Sequence, residues 1–521
     1  MRVIRRLGPF VAVFLAILVA WGFTAGAWVD GVTVRMPLDT RWSLWWTSEA
    51  IFRLDRVFDA PVVWAPVGSP FYTTLSGLLV PLLGAPFMLI LGADRGDSAL
   101  LAVIAGGNVV GGFVAARRLT GRVGASLAAS LLYGLNPSIL DAFRSGDPTA
   151  AFGWFLPWVL VAFWELPGSP EPWGDAGEVG IGVVAVTLSW WAGGVALGVV
   201  MGLMVALWLL RPDRVDAVAQ AVRVAIVATL ILAVPALPIA QQFAATGELP
   251  SWFGLTTQPV RLAWTAWVIG PAALTLPRAR PWAVLAVAMW LGARVPHPAA
   301  LGLVIDASMA MAAAVALGGM SRILRRFATL AAAVACFAES ARPPGLALAV
   351  EPVVEGGEAP SGGGILNLPL RARHDDRAAQ MRHRQMLLVG PGEPPAGWLL
   401  FVQRNPLLAT LWRIEGGERG DTGMATLADA TRALGTAGFR WITIGDSVPT
   451  TVVAAWSEVL DPLLGERKIA WDLTHLRAAE AADAPTDVRQ TPRLQKMPVE
   501  KGRTVLPSMD GTRPTSVTPH K

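Results

Sequence analysis

Apolar residues gather in long stretches, and these give the chain its plan. A first run, from Pro9 to Ala27, follows the basic start MRVIRR; others lie at about 98–116, 123–137, 149–165, 179–190, 193–210, 217–239, 260–276, 281–293, 299–318 and 327–339. A straight crossing of a bilayer takes roughly 20 apolar residues, so the pattern predicts an all-α polytopic bundle of about eleven transmembrane helices. The stretch 179–210 is too long for one crossing and divides at Ser189-Trp190-Trp191-Ala192-Gly193-Gly194 into a tight helical hairpin. The first run is longer than a secretory signal core and reads as an uncleaved anchor.

Polar positions decide the threading. Residues 72–92, YTTLSGLLVPLLGAPFMLILG, are apolar enough to cross but carry Pro81, Gly84 and Pro86. If they cross, Arg117, Arg118 and Arg122 fall outside, against the preference of basic loops for the cytoplasm. If they are interfacial or re-entrant, those three, then Arg211 and Arg214, then Arg278 and Arg280, then Arg322, Arg325 and Arg326 all fall inside. The second threading gives a transmembrane domain over 1–340, with a cytoplasmic N-terminus and an outer loop over 29–97. Against it stands the inner loop 166–178, which is acidic and has no Lys or Arg. From about Arg342 the composition turns to Pro, Gly and charge. There GGILNLPL, GWLLFVQ, FRWITIG and RKIAWDL predict strands, and ATLADATRALGTAG and TTVVAAWSEVLDPLLG predict amphipathic helices. Residues 341–475 therefore read as a small extracytoplasmic α/β module, and 476–521, polar and Pro-rich, as a disordered tail.

Composition agrees: 53% apolar and 16% charged residues mark a membrane protein. The net charge of +5 is spread singly and in pairs between apolar runs, which reads as topology signal and not as a nucleic-acid surface. A single cysteine, Cys336, excludes an internal disulfide framework and a multi-cysteine zinc site, and the five histidines have no metal-ligand spacing.

Candidate chemistry concentrates between Trp28 and Tyr72, where five Asp or Glu and five Trp stand in one outer loop. A helix there would carry Trp42, Trp45, Trp46, Glu49, Phe52, Arg53 and Arg56 at three- and four-residue spacing, lying flat at the outer interface with its tryptophans at headgroup level and its charges toward water. Asp39 stands at its start, either as an N-cap or as a general base where a lipid headgroup meets a water-borne acceptor. Arg35, Arg41, Arg53 and Arg56 could grip a phosphate, or pair with Glu49, Asp55, Asp59 or lipid phosphates; Glu49 and Arg53 suit each other as an i,i+4 pair. The second outer loop supplies Asp141, Arg144 and Asp147, the last with Pro148 behind it, a pattern that also fits an N-cap. Asp306, inside an apolar run, should turn to the bundle interior, as a functional group or as a helix–helix hydrogen bond.

Together, the long first loop headed by Asp39, the VWAPVGSPF turn, the run AARRLTGRVGASLAASLLYGLNPSILDAFRSGD ending in WFLPW, the SWWAGG break, and GILNLPL and QMRHRQMLLVG in the module resemble polytopic glycosyltransferases of the GT-C superfamily, in particular the YfhO-like bacterial branch. The resemblance covers roughly residues 1–445. It implies a multi-pass protein of the bacterial inner membrane that transfers a sugar from a polyprenyl-phosphate donor to a glycan, lipid or protein acceptor on the outer face. It further implies catalytic roles for Asp39 and Asp147, substrate contacts for Arg35, Arg41, Glu49, Arg53 and Arg144, and in some members a divalent cation between the loop carboxylates. Two positions depart: Gly146-Asp147 stands where relatives often show Gly-His, and Trp190-Trp191 where tyrosines are expected. The competing classes are a transporter or lipid flippase, which calls for interrupted helices and polar groups within the spans, and a non-catalytic scaffold.

Overall fold

The computed structural model describes residues 2–28, 38–53, 59–60, 65, 69–70, 77–210, 214–246, 255–256, 273–294, 297–298, 300–320, 363–371, 380, 386–389, 396–418, 422–444, 448–465 and 470–472. All fall in one compact unit, Met1–Leu476. The predicted disordered tail, most of the run 260–276, the run 327–339 and the side chains of Arg35 and Asp39 lie outside the described residues.

In chain order the elements are α1 (Arg2–Trp28), α2 (Leu38–Phe52), β1 (Asp59–Ala60), β2 (Ser69–Pro70), α3 (Leu79–Leu91), α4 (Ala93–Thr120), α5 (Val123–Gly134), α6 (Pro137–Arg144), α7 (Pro148–Ala151), α8 (Leu156–Glu165), α9 (Pro172–Ser189), α10 (Trp191–Trp208) and α11 (Arg214–Thr246). There follow β3 (Leu255–Thr256), α12 (Arg280–Gly292), β4 (His297–Pro298), α13 (Leu301–Gly319), β5 (Gly364–Leu368), α14 (Ala396–Arg404), α15 (Pro406–Glu415), α16 (Met424–Thr436), β6 (Phe439–Ile444), α17 (Thr450–Leu464) and β7 (Trp471–Asp472).

Among the described residues, four helices are long and apolar enough to cross a membrane, within α4, α10, α11 and α13, or five if α5 and α6, bent by 43°, count as one broken span. The described residues thus hold fewer full-length spans than the eleven expected. One reason is that the runs 123–137 and 149–165 fold as short pieces. α5 has 12 residues and α8 has 10, each about 15–18 Å long and so about half of a 30 Å hydrocarbon core. α3, the helix of the Pro-interrupted stretch, has 13 residues, shorter than a span. The break between α9 and α10 falls at Trp190, whose extended backbone (φ −156°, ψ 112°) ends one helix and starts the next, as the SWWAGG pattern predicts.

The acidic stretch 166–178 finds its cation in space. Arg118, at the end of α4, bonds Glu165 at 2.7 Å and Glu178 at 3.3 Å. Beside it Arg122 donates to the carbonyl of Gly318, bringing the end of α13 to the same end of the bundle.

Beyond the bundle, β5 and β6 pair in parallel, with Leu366 opposite Ile442, and β7 adds antiparallel to β6. The α/β expectation holds for three of the four strands and both helices. GWLLFVQ is a correction: it lies in helix α14. Trp398 and Val402, four residues apart, are both buried, so one helical face meets the core, and Trp398 Nε1 donates to the Leu388 carbonyl at 2.7 Å.

The second correction concerns α2. Its tryptophans are covered by protein and not laid against headgroups: Trp42, Trp45 and Trp46 belong to one buried cluster with Leu366, Leu388, Trp398 and Phe439 of the module. Trp42 Nε1 donates to Gln380 Oε1 at 2.8 Å, and Trp42 and Trp46 stack at 6.4 Å. Burying large aromatic surface against the module is worth more than an interfacial position that leaves part of each ring wet.

Candidate functional site

Three short helices meet inside the bundle, and their ends need partners there. A helix terminus leaves backbone N–H and C=O groups open, and at membrane depth only protein can satisfy them. Asn108, in the middle of α4 and fully buried, supplies both kinds of bond: Nδ2 donates to the Ala151 carbonyl at 2.8 Å, and Oδ1 accepts from the Gly153 amide at 2.9 Å. Tyr133, closing α5, donates its hydroxyl to the Gly153 carbonyl at 2.7 Å. Asn136 caps α6 by accepting from the Ile139 amide at 2.7 Å. Ser138 on α6 donates to Asp306 Oδ2 on α13 at 2.7 Å. Asn108 lies 12 residues from Thr120, and Asp306 lies 12 from Gly318, which packs against Thr120. Both therefore stand about 18 Å from that end of the bundle, in one polar layer. Asp306 is 5% exposed, turned inward as expected, and makes the helix–helix hydrogen bond.

Above this layer, α6 climbs toward the end of the bundle where Asp97 stands. Gly146, at φ +66°, reverses the chain, a conformation that suits glycine. Asp147 then caps α7: its Oδ1 accepts from the Thr149 amide at 2.9 Å and the Ala150 amide at 3.1 Å. The residue keeps some surface exposed, yet its carboxyl sits among packed atoms, and that burial pushes its pKa up from the usual range against the opposing pull of the two N–H groups. Oδ2 takes no hydrogen bond among the described residues. The N-cap role is thus real, and it leaves one carboxylate oxygen for chemistry.

Among the described residues, the arginines expected to bind substrate, Arg41, Arg53 and Arg144, are engaged with acidic partners, and Arg35 lies outside them. Arg144 bonds Asp141 at 2.9 Å on α6. Arg53 bonds Glu49 at 3.1 Å, with Glu49 buried and not turned to water as the flat-helix reading requires. Arg41 Nε stands 3.4 Å from Asp97, each side chain 11% exposed, and this pair ties α2 to the start of α4. Asp39 is the second residue of α2, in its first turn. The structure thus brings α2, with Asp39 and Arg41, to the end of the bundle toward which the hairpin bearing Asp141, Arg144 and Asp147 rises.

Sequence reasoning missed Asp97, Asn108, Tyr133, Asn136 and Ser138. For Asn108 there was a signal: AGGNVVGG places one amide between two glycine pairs in an apolar run, the mark of a close helix crossing with a polar anchor. The crossing is close indeed, since a Cβ on Gly107 would lie 1.8 Å from the Trp154 ring and one on Gly111 2.0 Å from the Trp154 carbonyl oxygen. Asp97 gave none, because its partner is 56 residues away in the chain.

Among the described residues no three His, Cys, Asp or Glu gather to hold a metal ion, and Asp147 already spends one oxygen on two amides. The side chain of Asp39, the other carboxylate that the resemblance places on a divalent cation, lies outside the described residues.

No family model matches the chain, and comparison with curated proteins gives no match. Among solved structures, the chain is similar to the oligosaccharyltransferase of Archaeoglobus fulgidus tethered with an acceptor peptide, at 14% identity and a TM-score of 0.44 over 85% of this chain and 69% of that one. It is similar to the archaeal oligosaccharyltransferase AglB from the same organism, in complex with an inhibitory peptide and a dolichol-phosphate, at 13% identity and a TM-score of 0.41 over 85% and 70%. It is also similar to the arabinofuranosyltransferase AftD from Mycobacteria, at 18% identity and a TM-score of 0.49 over 87% of this chain and 37% of that one. All three are glycosyltransferases by name, and the likeness is too loose to carry any residue or substrate across.

Proposed function

We propose that the chain is an integral membrane glycosyltransferase that moves a sugar from a polyprenyl-phosphate-linked donor to an acceptor hydroxyl or amide at the outer face. The observation that carries the proposal is the placement of Asp147. A carboxyl group with raised proton affinity and one uncommitted oxygen heads a helix break within a turn of the buried polar layer, below the loop helix that carries Asp39 and Arg41. A base whose pKa is drawn toward neutrality is better matched to taking a proton from an acceptor at working pH. In the proposed step Asp147 or Asp39 accepts the acceptor's proton while the acceptor attacks the sugar C1. The polyprenyl phosphate leaves with the bonding electrons, its charge met by a guanidinium among Arg35, Arg41, Arg53 and Arg144. Arg41, Arg53 and Arg144 would first have to turn from Asp97, Glu49 and Asp141.

The test separates capping from catalysis. Asn and Ser serve as N-caps nearly as well as Asp, so Asp147→Asn and Asp147→Ser should melt like the parent protein. In vesicles given a polyprenyl-phosphate sugar, both should lose sugar transfer at least 100-fold. Undiminished transfer in both would leave Asp147 a cap and nothing more, and the same outcome for Asp39→Asn would remove the first-loop carboxylate.

A second reading has its own observation. The 43° break between α5 and α6, with Asp306 buried beside it, is the kind of interrupted helix that transporters use. Substrate movement in vesicles without donor consumption would favour it.

A further inference from the structure

An open apolar groove of about 620 Å³ runs along the outside of the bundle, and the functional site does not use it. Its walls are Ile17 and Trp21 of α1 and Val103, Val110 and Val114 of α4, and Trp154 closes its floor over the glycine backbone of α4. The indoles present carbon to it because their N–H groups are committed: Trp21 to the Ala102 carbonyl at 2.8 Å, Trp154 to the Ile104 carbonyl at 3.0 Å. Such a lining, open to the bilayer, selects hydrocarbon.

Length and charge say which hydrocarbon. From Ala102 to Val114 the groove follows α4 for 12 residues, about 18 Å, close to the depth of one leaflet of a 30 Å core. The same stripe of α4 continues one turn on to Arg117, partly exposed, whose Nη1 donates to the Gly121 carbonyl and whose other N–H groups have no partner among the described residues. On α1 the stripe continues from Trp21 and Ile17 to Phe14 and Phe10, 58% and 73% exposed. α1 and α4 run antiparallel, with Trp21 beside Ala102 and Ile17 beside Gly106, so α1 begins near the level of Arg117. At the other end, the nearest basic residue of α4 on this stripe is Arg95, two turns above Ala102. The basic rim therefore stands next to the groove at one end, and the tendency of basic residues to face the cytoplasm makes that end the inner one.

We propose that the groove is a binding site for an anionic phospholipid of the inner leaflet, one acyl chain lying between α1 and α4 and the phosphate on Arg117 at the basic rim. The proposal stands on the membrane reading alone, not on the glycosyltransferase reading, so either can fail without the other.

The test is native mass spectrometry of the full chain in detergent, titrated with phosphatidylglycerol or with phosphatidylcholine of the same C16 and C18 chains. The expected result is one phosphatidylglycerol retained per chain, at least tenfold tighter than phosphatidylcholine. Val110→Trp and Val114→Trp, at exposed positions where a larger side chain fills the groove without entering the packed core, should each weaken it at least tenfold, as should Arg117→Gln. Val199→Trp, at an exposed apolar position on α10 away from the groove, should leave it unchanged. Equal binding of the two lipids, undiminished binding in both groove-filling variants, or one-for-one displacement of the phospholipid by a polyprenyl phosphate would each overturn the assignment.

Discussion

Replacing Asn108 with Leu, a side chain of similar shape, removes two hydrogen bonds and little else. The Ala151 carbonyl and the Gly153 amide, both buried, then lose the Asn108 atoms at 2.8 and 2.9 Å. A buried backbone group left without a partner costs about 1–3 kcal/mol, so the pair costs about 2–6 kcal/mol. A net stability of about 5–15 kcal/mol makes that a large share. The readout is the melting of the full chain in detergent, paired with hydrogen exchange of the peptide spanning 148–156, where the Gly153 amide should lose protection. Tyr133→Phe, which leaves the Gly153 carbonyl only the Leu156 amide at 3.2 Å, should be non-additive with Asn108→Leu because both hold the same connection between α7 and α8. Asn108→Asp keeps the acceptor for Gly153 yet should be worse than Leu, since it buries a carboxylate against the Ala151 carbonyl. Unchanged melting with unchanged exchange in Asn108→Leu, or an Asp variant milder than the Leu one, would refute the view that this amide holds the break in place.

Three further outcomes are expected. Glu415 accepts from the Leu370 and Arg371 amides at 2.5 and 2.7 Å, and burial raises its pKa to about 7. A folded-state pKa above the unfolded one means that the folded form holds its proton more tightly. The module should therefore lose stability between about pH 4.5 and pH 7, by at most about 3 kcal/mol, and Glu415→Gln should flatten that part of a melting-versus-pH curve. Removing either member of the Arg41–Asp97 pair should cost about 3–5 kcal/mol, with the exchanged pair Arg41→Asp, Asp97→Arg recovering part of it in the same melting assay. Trp46→Ala should cost about 3–5 kcal/mol and speed proteolysis within the module, whereas Trp46→Phe should cost far less, because the indole N–H of Trp46 has no hydrogen-bond partner among the described residues.

What could be read in advance depended on whether the deciding interaction was local. The α9–α10 break is written in Ser189-Trp190-Trp191-Ala192-Gly193-Gly194, and the Asp147 cap in Gly146-Asp147-Pro148, because turns and caps are settled within a few residues. The placement of α2 is not local. Its composition suits a membrane surface, and only a module more than 300 residues later makes burial the better choice. In α14, Gly-Trp-Leu-Leu-Phe-Val-Gln satisfies both strand and helix periods over seven residues, and the packing of Trp398 and Val402 on one core breaks the tie. The buried polar layer escaped notice because Asn108, Tyr133 and Ser138 are scattered through apolar runs, and their meaning appears only once the half-length helices bring their ends together.

The cluster that joins α2 to the module also orders events in time. About 300 residues separate Ala50 from Leu366, so at a synthesis rate of about 5–20 residues per second the three indoles emerge roughly 15–60 s before their partners. During that interval the nascent helix has only the bilayer surface to rest on, the resting place its sequence suits by itself. A ribosome-stalled chain ending before β5 should accordingly cross-link to lipid from a probe at Trp45, and the full-length chain should not.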